Sequence, residues 1–167
     1  NTPYGKDLLR PMLKAFRKYD IRIGLYHSLI DWHHDQFVID SMHALRNHPE
    51  RKELNKKRDQ KKYIKYLHNQ VRELLTDFGR IDMLFFDFSY PEKIAYPPNM
   101  EDNWQGKDRH DWGSEKLIKI MRQLQPQAIV NDRLDLDNIE GGWDFRTPEQ
   151  FQPRKWVEFQ GKPVNWM

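Results

Sequence analysis

The chain has 167 residues, enough for one ordinary domain with a hydrophobic core. Its formal charge of +3 is small for this length and demands neither a nucleic-acid nor a membrane partner. With no cysteine it has no disulfide frame and no thiolate chemistry, and no stretch is long and apolar enough to span a bilayer as a helix.

The first element in chain order is a helix over Asp7 to Tyr19. Leu8, Leu9, Met12, Leu13, Phe16 and Tyr19 recur at helical spacing and predict one buried face. A short strand, "IRIGLY", follows over Ile21 to Tyr26. The basic run "RKELNKKRDQKK", Arg51 to Lys62, has no interleaved aromatics and reads as a solvated helix start rather than a polyanion patch. It leads into a second helix from about Asp59 to Phe78, with Tyr63, Ile64, Leu67, Val71, Leu74, Leu75 and Phe78 as its stripe. Gly79 stands where a helix stop belongs. "IDMLFFDF" is then a nearly continuous apolar strand, as in a parallel sheet covered on both faces. A third helix starts near Ser114, a candidate N-cap, and stops at Pro126. "AIVNDR" is the third strand, and "GGWDFRT" a fourth, shorter one.

Helix–strand alternation predicts an α/β fold with a parallel sheet. A closed eight-stranded barrel needs about 250 residues. The pattern therefore leaves an open doubly wound sheet or part of a barrel. The segments after the strands, Ser28 to about Lys57 and Ser89 to about Trp112, are long. The segments before them are short. Long loops on the C-terminal side of the strands mark the active-site face in either architecture.

The strand ends carry the candidates for chemistry. They are Tyr26, His27 and Ser28 after the first strand and Asp87 after the second. Asn131, Asp132 and Arg133 follow the third, and Asp144, Arg146 and Glu149 lie in the fourth region. Asp87 closes a run of large apolar residues, where a carboxylate is costly unless it is hydrogen-bonded, paired or working. A strand-end Asp with a separate Glu fits two-carboxylate glycoside hydrolysis, one group attacking or activating water and the other protonating the leaving oxygen. Trp143, Phe145, Pro148 and Phe151 surround Glu149 in sequence and would dehydrate it. The six tryptophans and 13% aromatic content fit a large-residue core, and equally a pocket for sugars or other small ligands. "DWHHDQF", Asp31 to Phe37, invites a metal reading, but His33 and His34 are consecutive and lack ligand spacing. No metal or cofactor is expected.

"GLYHSLIDWHH", "RIDMLFFDFSYP", "IVNDR" and "WDFRTPEQ" occur in the order seen in glycoside hydrolase family twenty-nine, the α-L-fucosidases, and the resemblance runs over nearly the whole chain. It implies a TIM-barrel-like (β/α)-barrel catalytic domain that releases terminal α-L-fucose with retention, through a covalent fucosyl-enzyme. Residues 1–167 then form the central segment of that domain, missing its start and its end. The resemblance places the nucleophile on Asp87 and the acid/base on Glu149. It places sugar contacts on Tyr26, His27, Phe85, Arg133 and Trp143. His27 stands where the family often has Tyr, and Phe85 where it often has Trp. The family's "HHDG"-type histidine pair is expected before Asn1, since His33 and His34 match its "WHH" loop instead. The implied partner is a fucosylated oligosaccharide or glycoconjugate, without nucleic acid or membrane. The implied location is secreted, periplasmic or lysosomal. A non-catalytic glycan-binding relative and a glycosidase of related sugar specificity are the alternatives.

Overall fold

The computed structural model describes residues 3–90, 106–148 and 152–167. Three parallel strands form its centre: β1 (Gly24–Ser28), β2 (Met83–Asp87) and β3 (Ile129–Val130), in the order β1-β2-β3. The helices α1 (Leu9–Lys18), α2 (Arg51–Lys56), α3 (Gln60–Asp77), α4 (Arg109–Trp112) and α5 (Ser114–Leu124) alternate with them. The α/β reading of the sequence therefore holds. Among the described residues no helix is long and apolar enough to cross a membrane.

The core lies between the sheet and the α3–α5 layer. Leu25, Leu84, Phe86 and Val130 face Tyr63, Leu67 and Val71 of α3 and Leu117 and Met121 of α5. Asp59 caps α3 by accepting the Lys61 N–H, and Gly79 (φ 75°) supplies the left-handed stop after it. Gln125 ties the helix layer to the sheet. Its Oε1 accepts the Ile81 N–H, and its Nε2 donates to Leu75 O and Gly79 O.

Several expectations are corrected. The strand β2 alternates, with Leu84 and Phe86 fully buried and Met83, Phe85 and Asp87 half-buried. Only one face of the sheet is covered by described residues, so the uninterrupted apolar run does not mean two covered faces. On α1 Leu13 is buried and Leu9 packs partly buried against the core, whereas Met12 and Phe16, with the flanking Leu8 and Tyr19, are exposed. Ser114 is not an N-cap. It is the first residue of α5, and its buried Oγ has no hydrogen-bond partner. Gly113, left-handed at φ 60°, joins α4 directly to α5, and the capping side chain belongs instead to Asp108 at the start of α4. "GGWDFRT" forms bridges rather than a strand: Asn131 with Phe145 and Arg146 with Trp166, both parallel. A hairpin of β4 (Glu158–Phe159) and β5 (Lys162–Pro163), unforeseen in the sequence, turns through Gln160 and Gly161, both at positive φ.

Candidate functional site

Period-two alternation decides which side chains meet at the C-terminal edge of the sheet. In the parallel register Tyr26 stands beside Phe85 and Ser28 beside Asp87. These residues project from the face without helices. Tyr26 and Phe85 stack with ring centroids 5.8 Å apart, and Phe145 joins them 6.5 Å from Phe85.

Asp87 is held by two donors. The Tyr26 hydroxyl donates to Oδ2 at 2.6 Å, and the Phe88 N–H donates to Oδ1 at 2.8 Å. Its carbonyl accepts the Leu29 N–H, which carries the parallel ladder one step beyond β1. Behind it, the fully buried Asn131 side chain grips the backbone of Phe86. Oδ1 accepts the Phe86 N–H at 2.9 Å, and Nδ2 donates to Phe86 O at 2.8 Å. The Asn131 backbone meanwhile bridges to Phe145, so its side chain does the pairing work toward β2. A carboxylate anchored on both oxygens at the end of a rigid strand is oriented for nucleophilic or electrostatic work.

His27 does not join this group. Being adjacent to Tyr26, it projects to the opposite face, where its ring lies 6.0 Å from that of Phe86. Burial lowers its pKa, and its Nδ1 is buried without a hydrogen-bond partner. The sugar contact expected of it is not one this geometry provides.

Arg133 is turned toward the fourth segment. Its Nε donates to Thr147 Oγ1 at 2.7 Å, and an Nη donates to Thr147 O at 2.9 Å. Thr147 Oγ1 donates in turn to Asp132 Oδ1 at 2.6 Å, and Arg146 donates to Asp132 Oδ2 at 3.1 Å. Trp143 packs edge-on to Phe159, and the Arg146 guanidinium lies over both rings at 4.5 and 4.3 Å. Phe145 rather than Trp143 reaches the Tyr26–Phe85 stack. Glu149 and Phe151 lie outside the described residues.

A buried cluster around Asp40 has no counterpart in the sequence reading. Lys107 Nζ and the Tyr90 hydroxyl both reach Asp40 Oδ2 at 2.6 Å, while Asp40 Oδ1 accepts the Met42 and His43 N–H groups. Lys107 also donates to Val38 O and lies over the Phe37 ring. Burial, and then Asp40, push the Tyr90 phenol upward. The cluster joins the loop after β1 to the segment after β2. A lysine in a polar stretch and an Asp in a loop carry no periodic signal, and only spatial pairing exposes them. In the "WHH" loop, His34 Nδ1 accepts the Gln36 N–H, and its ring packs on Tyr66 at 4.2 Å. Among the described residues no three potential metal-ligating side chains converge.

The sequence matches the Alpha-L-fucosidase family over residues 1–166. The chain belongs to that family. Among solved structures, it is similar to Alpha-L-fucosidase isoenzyme 1 from Paenibacillus thiaminolyticus, at 36% identity and a TM-score of 0.81 over 99% of the chain. The fold also resembles that of unliganded alpha-L-fucosidase AlfC from Lactobacillus casei (19% identity, TM-score 0.60, 89% of the chain). A third likeness is a glycoside hydrolase 29 family member from an unknown rumen bacterium (24%, 0.55, 86%). The chain spans 38%, 42% and 21% of these three proteins, respectively. No curated protein matches it.

Proposed function

We propose that residues 1–167 are the central segment of a (β/α)-barrel catalytic domain whose complete form is a retaining exo-α-L-fucosidase. The observation that carries this reading is the doubly anchored Asp87 carboxylate on the helix-free sheet face, in a chain of the fucosidase family. In a closed barrel that face would be the interior, and the C-terminal edge would be its mouth.

In this mechanism Asp87 attacks the anomeric carbon of a terminal fucoside. A C–O bond forms to the carboxylate as the glycosidic C–O bond breaks, and Glu149 delivers a proton to the departing oxygen. Glu149 then takes a proton from water, which attacks the same carbon and releases fucose with retained configuration. Tyr26 and the Phe88 N–H fix the carboxylate for both steps. Tyr26, Phe85 and Arg133 line the sugar side. The mechanism uses no metal or organic cofactor.

The substrate class is a terminal α-L-fucoside on an oligosaccharide or glycoconjugate. Support comes from relatives: AlfC forms are described in complex with Fuca(1,6)GlcNAc and with 4-nitrophenyl-a-L-fucopyranoside. Half a barrel would leave strand edges and one sheet face open, so residues 1–167 alone are expected to be inactive.

The test is turnover of an aryl α-L-fucoside by the complete domain beside its Asp87→Ala variant. The expected result is a loss on the order of a thousandfold or more in the variant, partly rescued by azide as a fucosyl azide. A folded domain that binds fucose yet cleaves no fucoside supports the non-catalytic glycan-binding reading instead.

A further inference from the structure

Three consecutive residues after β3 hold three consecutive residues of the fourth segment. Asn131 forms the parallel bridge to Phe145. Asp132 accepts from Arg146 on Oδ2 and from the Thr147 hydroxyl on Oδ1. Arg133 donates to both Thr147 oxygens, side chain and carbonyl. Thr147 is 7% exposed, and its hydroxyl donates and accepts within the chain. The same stretch also reaches the other way. The Asn131 side chain holds both backbone polar groups of Phe86.

Each hold lies next to a proposed catalytic carboxylate in the chain. Phe86 immediately precedes Asp87, and Thr147 stands two residues before Glu149, with Pro148 between them. Proline fixes its own φ and confines the residue before it to extended backbone. The direction in which the chain leaves Thr147 is thus narrowly set. The Asn131–Phe145 bridge already joins the two segments, and a largely buried ion pair such as Asp132–Arg146 adds little stability beyond apolar packing. What a satisfied polar network does supply is one fixed geometry.

We propose that Asp132 and Thr147 are positioning residues for the general acid, and that Asn131, Asp132 and Arg133 together set the separation of the two carboxylates. The proposal rests on the glycosidase reading of Asp87 and Glu149. Retaining hydrolysis needs those groups about 5–5.5 Å apart. A catalytic pair must hold its geometry to about 0.5 Å. Neither Asp132 nor Thr147 exchanges a proton with the substrate in this role. Loosening their contact frees the chain beyond Thr147 while Asp87 stays on β2. The loss then falls on proton delivery to the leaving oxygen and spares attack at the anomeric carbon. Fluoride departs with little help from an acid. Phenoxide, the base of a phenol with a pKa of about 10, depends on it.

The experiment measures kcat/KM of the complete domain on α-L-fucosyl fluoride and on phenyl α-L-fucoside, for Asp132→Asn, Thr147→Val, Thr147→Ser and Glu149→Ala. Asp132→Asn and Thr147→Val are expected to lose about tenfold to a hundredfold on the phenyl substrate, part of the roughly 10²–10⁴ that a general acid supplies. On the fluoride they should lose about threefold or less. Thr147→Ser keeps the hydroxyl and should stay near the parent on both. Added to Glu149→Ala, Asp132→Asn should cost little more, because the acid it positions is already gone. Equal losses on the two substrates would assign the network to the fold or the sugar and overturn the proposal. An unchanged Asp132→Asn, or a Thr147→Ser as impaired as Thr147→Val, would overturn it too. If Thr147→Val does not fold, Asp132→Asn decides. A Glu149→Ala variant that loses equally on both substrates is a failure of the acid/base reading of Glu149. A phenyl-selective loss in Asp132→Asn would then still support the positioning role for that segment, and a uniform loss would overturn it. A folded parent that cleaves neither substrate fails the glycosidase reading and the proposal with it.

Discussion

The Tyr26 hydroxyl stands 2.6 Å from Asp87 Oδ2, a diagonal contact between β1 and β2 on the helix-free face. A phenol bonded to a carboxylate this closely is a charge-assisted hydrogen bond, stronger than a neutral one. Tyr26 is also 58% exposed, so it adds little to the core. Tyr26→Phe should therefore cut kcat on an aryl α-L-fucoside about tenfold to a hundredfold, the equivalent of about 1.5–3 kcal/mol. The melting temperature should stay within a degree or two. Steady-state kinetics beside a thermal melt checks both, and a fully active variant would remove Tyr26 from the proposed mechanism.

Asn131 acts one layer behind. Removing its side chain leaves the Phe86 N–H and C=O buried and unpaired just before Asp87. Asn131→Ala should destabilise the domain by about 2–4 kcal/mol, from two lost partners at about 1–2 kcal/mol each. It should also lower kcat more than it raises KM, because the carboxylate loses its fixed position. Denaturant unfolding with kinetics at a temperature where the variant stays folded separates the two effects.

The Asp40–Lys107–Tyr90 cluster is a stability element. Asp40 and Lys107 side chains are about 6% and 5% exposed. Breaking a buried pair on one side leaves an uncompensated charge, so Lys107→Ala should cost about 3–5 kcal/mol. Tyr90→Phe keeps the ion pair and should cost about 1 kcal/mol. Chemical denaturation of the two variants should reproduce that order. Equal losses would mean that the charge is not what the cluster protects.

Burial lowers the pKa of His27, His43 and His68, with Arg58 reinforcing the effect at His43. In the unfolded chain each histidine takes up a proton below about pH 6.5. The folded chain resists until lower pH, so over that interval the unfolded state binds more protons. Stability should therefore be unaffected by these groups above about pH 7 and fall as pH drops below about 6.5. Melting temperatures from pH 8 to 5.5 test the sign. His27→Gln should flatten part of the slope.

The two carboxylates proposed for catalysis differ in how far the chain itself fixes them. Asp87 is legible as the polar end of a short apolar run, and its position at the edge of β2 follows from strand length alone. Glu149 rests on its aromatic neighbours in sequence and on the family motif, and it lies outside the described residues. The Ser114 cap failed because a cap is a backbone arrangement, and the turn through Gly113 had already taken that place.

Local chemistry is what the sequence determined by itself. The spacing of apolar residues set α3 and α5, Asp59 and Gly79 bounded α3, and four ordered motifs set the family. Those signals depend on residues three or four apart, or on neighbours along one strand, and a linear reading contains them. Tertiary structure alone decided which strand-end residues share a site. Tyr26 and His27 are neighbours in sequence, yet the pleat sends one to Asp87 and the other behind the sheet. Asp40 and Lys107 lie 67 residues apart and form one ion pair. Such contacts depend on strand register and loop closure, which only the assembled sheet fixes.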